Sequence, residues 1–334
     1  MTRRAFILMA GLLVLAAVAL PALAPGASAQ STEELKRRIE QLEAGQARAA
    51  NEAAVARGRK IYARSCAACH GRAGEGDGPG AFDLVPRPRD LTTRRYRFRT
   101  TSSGSLPLPE DLERTIRRGL PGTSMPAFGD LFSDEEIASL LASIYSLQPG
   151  GTPAQLPDAV VLPEVAAATE QSVRDGESIF LLMGCWACHG VKGDGRGPSA
   201  KSLTDESGRR IRSTNFVRDP LKGGTDPQSV VRTLLTGLNG APMPSYADAM
   251  LFAREDVDPN SLEDRVESET IGRIGRFLER APTREDLDQL GDEARTQLRD
   301  ERLASLAHYV LSLNQRRGFW FRLLAQEPER EARP

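Results

Sequence analysis

The sequence predicts an all-α protein that consists of two tandem domains with the same small helical fold. The first observation is length, since 334 residues correspond to two domains at ~150 residues each. The second is a set of motifs that recurs in both halves, and the third is a series of helical segments with recognisable N-caps. The 44 Lys and Arg against 45 Asp and Glu argue against a nucleic-acid-binding protein.

The first 29 residues have the layout of a signal peptide. Arg3 and Arg4 precede an apolar run from Phe6 to Ala24, and small residues at 27–29 form a cleavage site. This pattern predicts export to the periplasm, whereas an uncleaved segment would anchor the chain in the membrane. The paired arginines also look like a twin-arginine signal, which we rank below the general export route.

A charged helical segment is predicted next, over residues 30–52. Ser31 and Glu34 have the spacing of a capping box, which favours a helix that begins there and ends near residue 50. Three apolar residues share one face of this helix: Leu35, Ile39 and Leu42. The apolar stripe is shorter than two heptads, so it is only a weak indication of a coiled-coil dimer.

All four cysteines occur in two Cys-x-x-Cys-His motifs, the attachment signature of c-type haem. Two thiols at this spacing reach the two vinyl groups of one haem, and the next histidine then lies beneath the iron. A zinc site or a redox disulfide also uses paired cysteines, but neither explains a histidine after each pair in a chain with three histidines. The motif residues are Cys66, Cys69 and His70 in the first half and Cys185, Cys188 and His189 in the second.

The two halves repeat other features at matching distances from these histidines. Pro79 and Pro198 each lie nine residues after the motif histidine, inside Gly-Pro turns. Residues 119–128 parallel residues 237–246, and both segments contain a Met-Pro pair. The chain is therefore predicted to be a tandem duplication that binds two covalently attached haem c groups, one in each copy.

Each half resembles a class I cytochrome c domain, and the whole resembles a two-haem periplasmic cytochrome c. The first half is also similar to cytochrome modules of respiratory oxidoreductases, through residues 88–92, 96–99 and 119–126. The resemblance implies an all-α fold in which the first and last helices of each domain cross and frame the haem.

The motif histidines are the expected proximal iron ligands, and two methionines are the expected distal ligands. Only His308 remains besides His70 and His189, so two bis-histidine sites are impossible. Met125 and Met243 follow their histidines by 55 and 54 residues, in matching turns. A lone methionine is usually a core residue, but the matched positions favour ligation by a soft, neutral thioether that raises the haem potential.

A further prediction concerns the group that orients each ligating histidine. Such a histidine donates its other ring N–H to a carbonyl, and the family resemblance places this carbonyl on a proline soon after the histidine. Pro79 and Pro198 fit that spacing, while Pro86 and Pro88 fit it less well. The alternative is that these prolines only shape the Gly-rich turns.

The domain boundaries follow from these motifs and from a linker rich in Pro, Gly and Ala. The predicted organisation is a first domain over residues 53–148, a linker over 149–171, a second domain over 172–315 and a tail over 316–334. Helices are predicted over residues 53–65, 110–118 and 133–147 of the first domain and over 172–183 and 299–313 of the second. Ser133 is the expected N-cap of the third helix.

Three charged or aromatic segments are open to more than one interpretation. The insertion at about 253–297 belongs to a stretch, residues 253–302, with 15 acidic residues and nine Arg, which is either a solvated helical excursion or an acidic docking surface. The six Arg of residues 86–99 bind haem propionates or a partner. The tail is expected to contact its own domain, a partner groove or a membrane interface. His308 is expected to have a structural role.

The predicted function is single-electron transfer between respiratory redox partners, through two His/Met-ligated haems. The first alternative is a tightly bound cytochrome subunit of a larger oxidoreductase. A di-haem peroxidase is a weaker alternative, because it requires an iron that is open or can open, whereas both irons here have a candidate methionine ligand. We therefore expect an electron carrier rather than an enzyme, with no catalytic residues.

Overall fold

The computed structural model describes residues 29–151 and 155–324, and describes side chains between residues 33 and 314. The predicted signal peptide and the aromatic side chains of the tail lie outside the described residues. Within the described ranges the regular secondary structure is helical, apart from isolated bridges between single residues. None of the described helices combines the length and apolar character needed to cross a membrane.

The helices occur in the order that the tandem arrangement predicts. The first half contains α1 (Ala29–Ser65), α2 (Ala67–His70), α3 (Pro109–Arg118) and α4 (Asp134–Ser146). The second half contains α5 (Glu170–Leu182), α6 (Trp186–His189), α7 (Pro227–Thr236), α8 (Ser268–Arg280), α9 (Arg284–Gln289) and α10 (Asp292–Leu324). Four short 3-10 helices lie at Pro198–Lys201, Asp248–Met250, Arg254–Asp256 and Pro259–Leu262. The N-cap of α4 is Ser133, as expected, and it forms a capping box with Glu136.

Helix α1 differs from the prediction because it contains both the N-terminal helical segment and the first helix of the first domain. The predicted break at residues 51–52 is wrong. No Gly or Pro lies between Gly45 and Gly58, and the intervening residues are rich in Ala, which favours helix continuation.

The chain divides into two compact units, Met1–Glu52 and Ala53–Pro334. In the first unit, the described part of the helix is exposed along its length. Its apolar stripe is exposed as well, with Leu35 at 61% and Leu42 at 55% of their full accessible surface. The second unit contains both predicted domains, and each of them has its own hydrophobic core.

The first and last helices of each domain cross, as predicted, and the point of closest approach is a glycine in both domains. In the first domain a Cβ on Gly58 would lie 1.9 Å from the carbonyl oxygen of Ser139 in α4. In the second domain a Cβ on Gly176 would lie at the same distance, 1.9 Å, from the carbonyl oxygen of Ser305 in α10. Because the backbones touch at these points, only glycine allows the approach. The first helix of each domain ends shortly before its Cys-x-x-Cys-His motif, at Ser65 and at Leu182.

Substitution of Gly176 by Ala should destabilise the second domain, because α5 must move away from α10 to accommodate the methyl group. We expect a loss of ~1–3 kcal/mol or more, the usual range for overpacking. Thermal unfolding of the holoprotein measures this change. Gly275→Ala is the matched control, since Gly275 lies in α8 with nothing within 4 Å of the added Cβ. That control should be neutral or stabilising by up to ~1 kcal/mol, and an equal loss in both variants would contradict the argument.

The charged insertion at 253–297 is not a solvated excursion. Ile274, Phe277 and Leu278 of α8 are buried in the core of the second domain, where Ile274 has no exposed surface. Two arginines of α8 also form ion pairs with α5, Arg273 with Glu177 and Arg280 with Asp175. The apolar face of α8 therefore completes the core. The proposed acidic docking role of its outer face stays a prediction.

The last helix and its histidine tie the second domain to the linker. Helix α10 begins at Asp292, seven residues before the predicted start, since Asp292 and Glu293 suit a helix N-terminus. His308 is buried, and its Nε2 donates to the carbonyl of Ala166, 3.1 Å away, while its Nδ1 lies 2.8 Å from the Ser172 hydroxyl. These contacts agree with the predicted structural role.

The Arg-rich segment 86–99 lies largely between the two domains. Arg99 is fully buried and donates to carbonyls of the second domain. Arg89 forms an ion pair with Glu206 of the second domain, and Arg94 donates to the carbonyl of Gly151. The expectation of a partner-binding patch is therefore wrong for these three arginines, because each of them already bonds to another part of the chain.

Candidate haem site

Both Cys-x-x-Cys-His motifs form a single helical turn. The backbone N–H of His70 donates to the carbonyl of Cys66, at 2.9 Å, and that of His189 donates to the carbonyl of Cys185, also at 2.9 Å. Helices α2 and α6 are these turns. Because the two cysteines and the histidine lie within five consecutive residues, one helical turn brings both thiols and the imidazole of each motif close together.

One cavity of about 660 Å³ is lined by residues of both domains. All four predicted axial ligands line it, and so do two of the predicted thioether cysteines: His70, Met125, His189, Met243, Cys66 and Cys69. In the second motif, Cys185 packs against the core of the second domain, and Cys188 precedes His189 in α6. The structure therefore brings both predicted haem sites to a single shared cavity.

The two methionines lie in loops of the same geometry. Leu120 N–H donates to the Met125 carbonyl at 3.0 Å, and Leu238 N–H donates to the Met243 carbonyl at 2.9 Å. Each of these bonds closes a loop that begins at the end of α3 or α7. Both methionine side chains are half-buried and pack against the core of their own domain, which places the thioethers at the cavity wall.

Both motif histidines have their Nδ1 atom occupied by a backbone carbonyl. Nδ1 of His70 lies 2.9 Å from the carbonyl oxygen of Arg89, and Nδ1 of His189 lies 3.1 Å from that of Thr214. A carbonyl only accepts, so Nδ1 carries the proton and Nε2 keeps its lone pair. This is the tautomer that an iron ligand requires.

The predicted role of Pro79 and Pro198 is wrong, because neither provides the carbonyl that faces Nδ1. Pro79 lies between Gly78 and Gly80, whose N–H groups donate to the carbonyls of Cys69 and Ala68. Pro198 begins the 3-10 helix Pro198–Lys201. The first Gly-Pro turn thus packs on the back of the Cys-x-x-Cys-His helix, and both prolines shape turns.

The two carbonyls that accept from the histidines share a sequence pattern. They do not lie at a constant distance from the histidines, so a search at a fixed spacing does not find them. Each acceptor precedes an Asp or Asn and then an apolar residue, in Asp90-Leu91 and in Asn215-Phe216. Leu91 N–H donates to the Gly74 carbonyl and Phe216 N–H to the Gly193 carbonyl, both at 2.7 Å. The acceptors follow their histidines by 19 and 25 residues, because the intervening loops differ in length. Phe216 also stacks on the ring of His189, with centroids 4.3 Å apart.

Burial sets the protonation of the ligand side chains. Burial lowers the pKa of both His70 and His189, so both imidazoles are neutral at pH 7 and available to a metal. Burial also raises the pKa of the Cys66 thiol to about 11 and that of Cys185 to about 12. In the chain without cofactor these two thiols are therefore protonated at neutral pH.

The cavity wall contains half-buried cations that fit the carboxylates of a haem. Arg97 and Lys222 both line the cavity, and burial lowers the pKa of Arg97 to about 10 and also lowers that of Lys222. Among the described residues, the buried Nε of Arg97 has no hydrogen-bond partner. A buried cation is costly unless an anion pairs with it. Haem propionates would supply that anion, so the residues present fit the group.

Comparison with known proteins agrees with this site. A family model described as cytochrome c oxidase, cbb3-type, subunit III matches residues 53–142, and a model described as cytochrome c matches residues 173–258. A solved chain of the reducing HAO-like protein complex Kustc0457/Kustc0458 from Kuenenia stuttgartiensis is 32% identical, with a TM-score of 0.60. The match covers 78% of this chain and 96% of that chain.

The chain belongs to the cytochrome c family. The cytochrome contains two cytochrome c domains in tandem, and domains of this kind bind haem c covalently through the Cys-x-x-Cys-His motif. No curated protein matches the cytochrome.

Proposed function

We propose that the cytochrome is a two-haem electron-transfer protein in which both irons have His/Met ligation. The observation that supports this most directly is the shared cavity, which is lined by His70, Met125, His189 and Met243 together. Bound haem c supplies a one-electron Fe(III)/Fe(II) couple at each site. Because both sites open into the same cavity, the arrangement would allow electrons to pass between two bound haems within one chain.

The protein residues hold each site in a state that suits electron transfer. The carbonyls of Arg89 and Thr214 orient the imidazoles, and the closed loops hold the two methionines. An iron held by both a histidine and a methionine would need little rearrangement when it gains or loses an electron, so such sites would favour transfer over chemistry on a bound substrate. Arg97 and Lys222, which line the cavity, would pair with the haem propionates.

The proposed location is the periplasm, and the proposed partners are redox proteins of a respiratory chain. The signal-peptide layout of residues 1–29 supports export. The family match of residues 53–142 is to a subunit of a respiratory oxidase, which supports a respiratory partner.

A specific observation also favours the subunit alternative. The similar solved chain, which the cytochrome covers almost completely, belongs to a multi-protein complex. The exposed apolar stripe of α1 at Leu35, Ile39 and Leu42 is a surface that a stable complex would bury. Purification from native membranes separates the two forms. Co-elution with fixed partners at high salt supports the subunit form, and elution of the cytochrome alone supports the free carrier.

Reactivity toward small ligands tests the carrier against the peroxidase. If both methionines stay bound, the fully reduced protein should bind carbon monoxide slowly and weakly. It should also turn over little peroxide while it exchanges electrons rapidly with small redox dyes. Met125→Ala is the positive control, since one open iron should bind carbon monoxide at least ~10-fold faster, the factor that corresponds to ~1.4 kcal/mol of lost ligand binding. Substantial peroxide turnover by the half-reduced wild-type protein would contradict the electron-carrier function and favour the peroxidase function.

A further inference from the structure

Arg99 is a fully buried cation that crosses from the first domain into the second. Its side chain has no exposed surface. Nη2 donates to the carbonyl of Thr236 at 2.6 Å, and Nη1 donates to the carbonyl of Gly237 at 3.3 Å. The remaining donor, Nε, bonds to the carbonyl of Ser102 in the first domain at 3.2 Å.

The two carbonyls that accept from Arg99 form the base of the loop that carries Met243. Thr236 is the last residue of α7, and Gly237 begins the turn that follows. A Cβ on Gly237 would lie 2.6 Å from both the carbonyl carbon of Pro244 and the nitrogen of Ser245. The base of the loop therefore touches the backbone directly after Met243. Any shift of this base moves the methionine.

The first domain also holds the tip of the same loop. Gly104 N–H donates to Oδ1 of Asn239 at 2.9 Å, and Nδ2 of Asn239 donates to the carbonyl of Ser105 at 3.3 Å. Segment 99–105 of the first domain thus contacts the loop at its base and at its tip. These contacts come from outside the second domain, which the loop belongs to.

The chemistry of arginine explains why these contacts constrain position. A planar guanidinium presents its donors in a fixed fork, so it fixes two carbonyls relative to each other. Hydrogen bonds to a charged donor are also stronger than neutral ones, and a carbonyl left unpaired in a buried site costs free energy. Asp111, a buried carboxylate of α3, is the charge that offsets the burial of Arg99.

We propose that Arg99 of the first domain is a positioning residue for Met243, the distal ligand of the second haem. The first domain thereby contributes to the iron ligation of the second domain through the loop base at Thr236 and Gly237. This inference rests on the proposed His/Met ligation and adds a coupling between the domains that each domain alone would lack.

Arg99→Lys tests the proposal, since lysine keeps the charge but does not reach both carbonyls with a fixed geometry. The readout is the ferric Met-to-iron absorption band, measured in a Met125→Ala background, where only the second haem contributes to it. We expect the fraction of protein with Met243 released to rise about tenfold, corresponding to ~1.4 kcal/mol. In a Met243→Ala background, Arg99→Lys should leave the remaining band unchanged. This dependence on background assigns the effect to the Met243 site rather than to the Met125 site.

Two further variants distinguish the positioning role from a general loss of folding. Arg302→Lys is the matched control, because Arg302 is also buried and donates to two carbonyls, those of Met250 and Phe252. It should lower the melting temperature and leave the band intact. Asn239→Ala removes only the contact at the tip of the half-buried loop, and should weaken the band in the same direction as Arg99→Lys but less.

The outcomes distinguish this inference from the proposed function. If Met243→Ala leaves the wild-type band at full intensity, the His/Met ligation is wrong and the inference falls with it. If Met243→Ala removes its share of the band while Arg99→Lys and Asn239→Ala both leave that share intact, the ligation stands and the positioning role is overturned. An equal loss of the band in Arg302→Lys would also overturn it.

Discussion

Replacement of both Cys185 and Cys188 by serine should leave one covalent haem per chain and unfold much of the second domain. Serine forms no thioether, so the second haem has no covalent attachment. If half of the cavity of about 660 Å³ were left empty, the cost would reach roughly 8 kcal/mol at ~24 cal/mol per Å³. That upper bound is comparable with the whole stability of a typical protein, ~5–15 kcal/mol.

The measurement is the covalent haem content after acid–acetone extraction, together with thermal unfolding followed by circular dichroism. The matched variant replaces Cys66 and Cys69 instead, and should lose the other haem. Two covalent haems in the wild type and one in each variant is the expected result. A wild type with one covalent haem, or a Cys185/Cys188 variant with unchanged haem content, would contradict the assignment of two attachment sites.

Replacement of Met243 or Met125 by alanine should lower the reduction potential of one haem and leave the other nearly unchanged. A neutral thioether favours ferrous iron. When the thioether is removed, water or a stronger-field ligand would bind the iron in its place. We expect a fall on the order of 0.1–0.3 V, a part of the ~0.8 V range that axial ligands span. Potentiometric titration of each variant resolves the two haems.

Met250→Leu provides the control for this pair of variants. Met250 is fully buried in the core of the second domain, so the substitution changes packing and not ligation. Both potentials and the full ferric Met-to-iron band should persist in that control. If Met125→Ala and Met243→Ala both keep the wild-type band at full intensity, the two methionines are not the ligands.

The haem-binding motifs are readable from the sequence because their chemistry is local. Cys66, Cys69 and His70 lie within one helical turn, so the spacing alone determines which groups meet. The helix crossings were expected from the family resemblance. Gly58 and Gly176 occupy matching positions in the repeat, and each contacts the serine that the aligned last helices contain.

The orienting carbonyls were not predictable from a fixed distance along the chain. The prediction placed them on Pro79 and Pro198, and the structure places them on Arg89 and Thr214. The loops between histidine and acceptor tolerate different lengths, since the hydrogen bond depends only on where the loop returns. An Asp or Asn followed by an apolar residue comes directly after the acceptor in both domains, at Asp90 and at Asn215. This local pattern stays the same although the loop length differs.

Two other differences arise from packing that only the folded chain defines. The acidic composition of residues 253–302 suggested a solvated segment, but Ile274 and Phe277 are buried in the core. Charge content describes the outer face of such a helix, while its few apolar residues decide where it packs. Likewise, the six arginines of residues 86–99 were expected to bind haem propionates or a partner, although Arg99 is fully buried and donates to carbonyls of the second domain.

The sequence determines the cofactor class, the tandem repeat and the helical architecture, because these depend on residues that are close together or repeated at a constant period. Tertiary structure alone decides that the two haem sites share one cavity and that Arg99 reaches the Met243 loop 137 residues away. Contacts between domains join residues that are distant in sequence and have no period. The physical reason is that a buried arginine takes whichever carbonyls the packed surfaces leave unpaired, and a linear pattern does not show those surfaces.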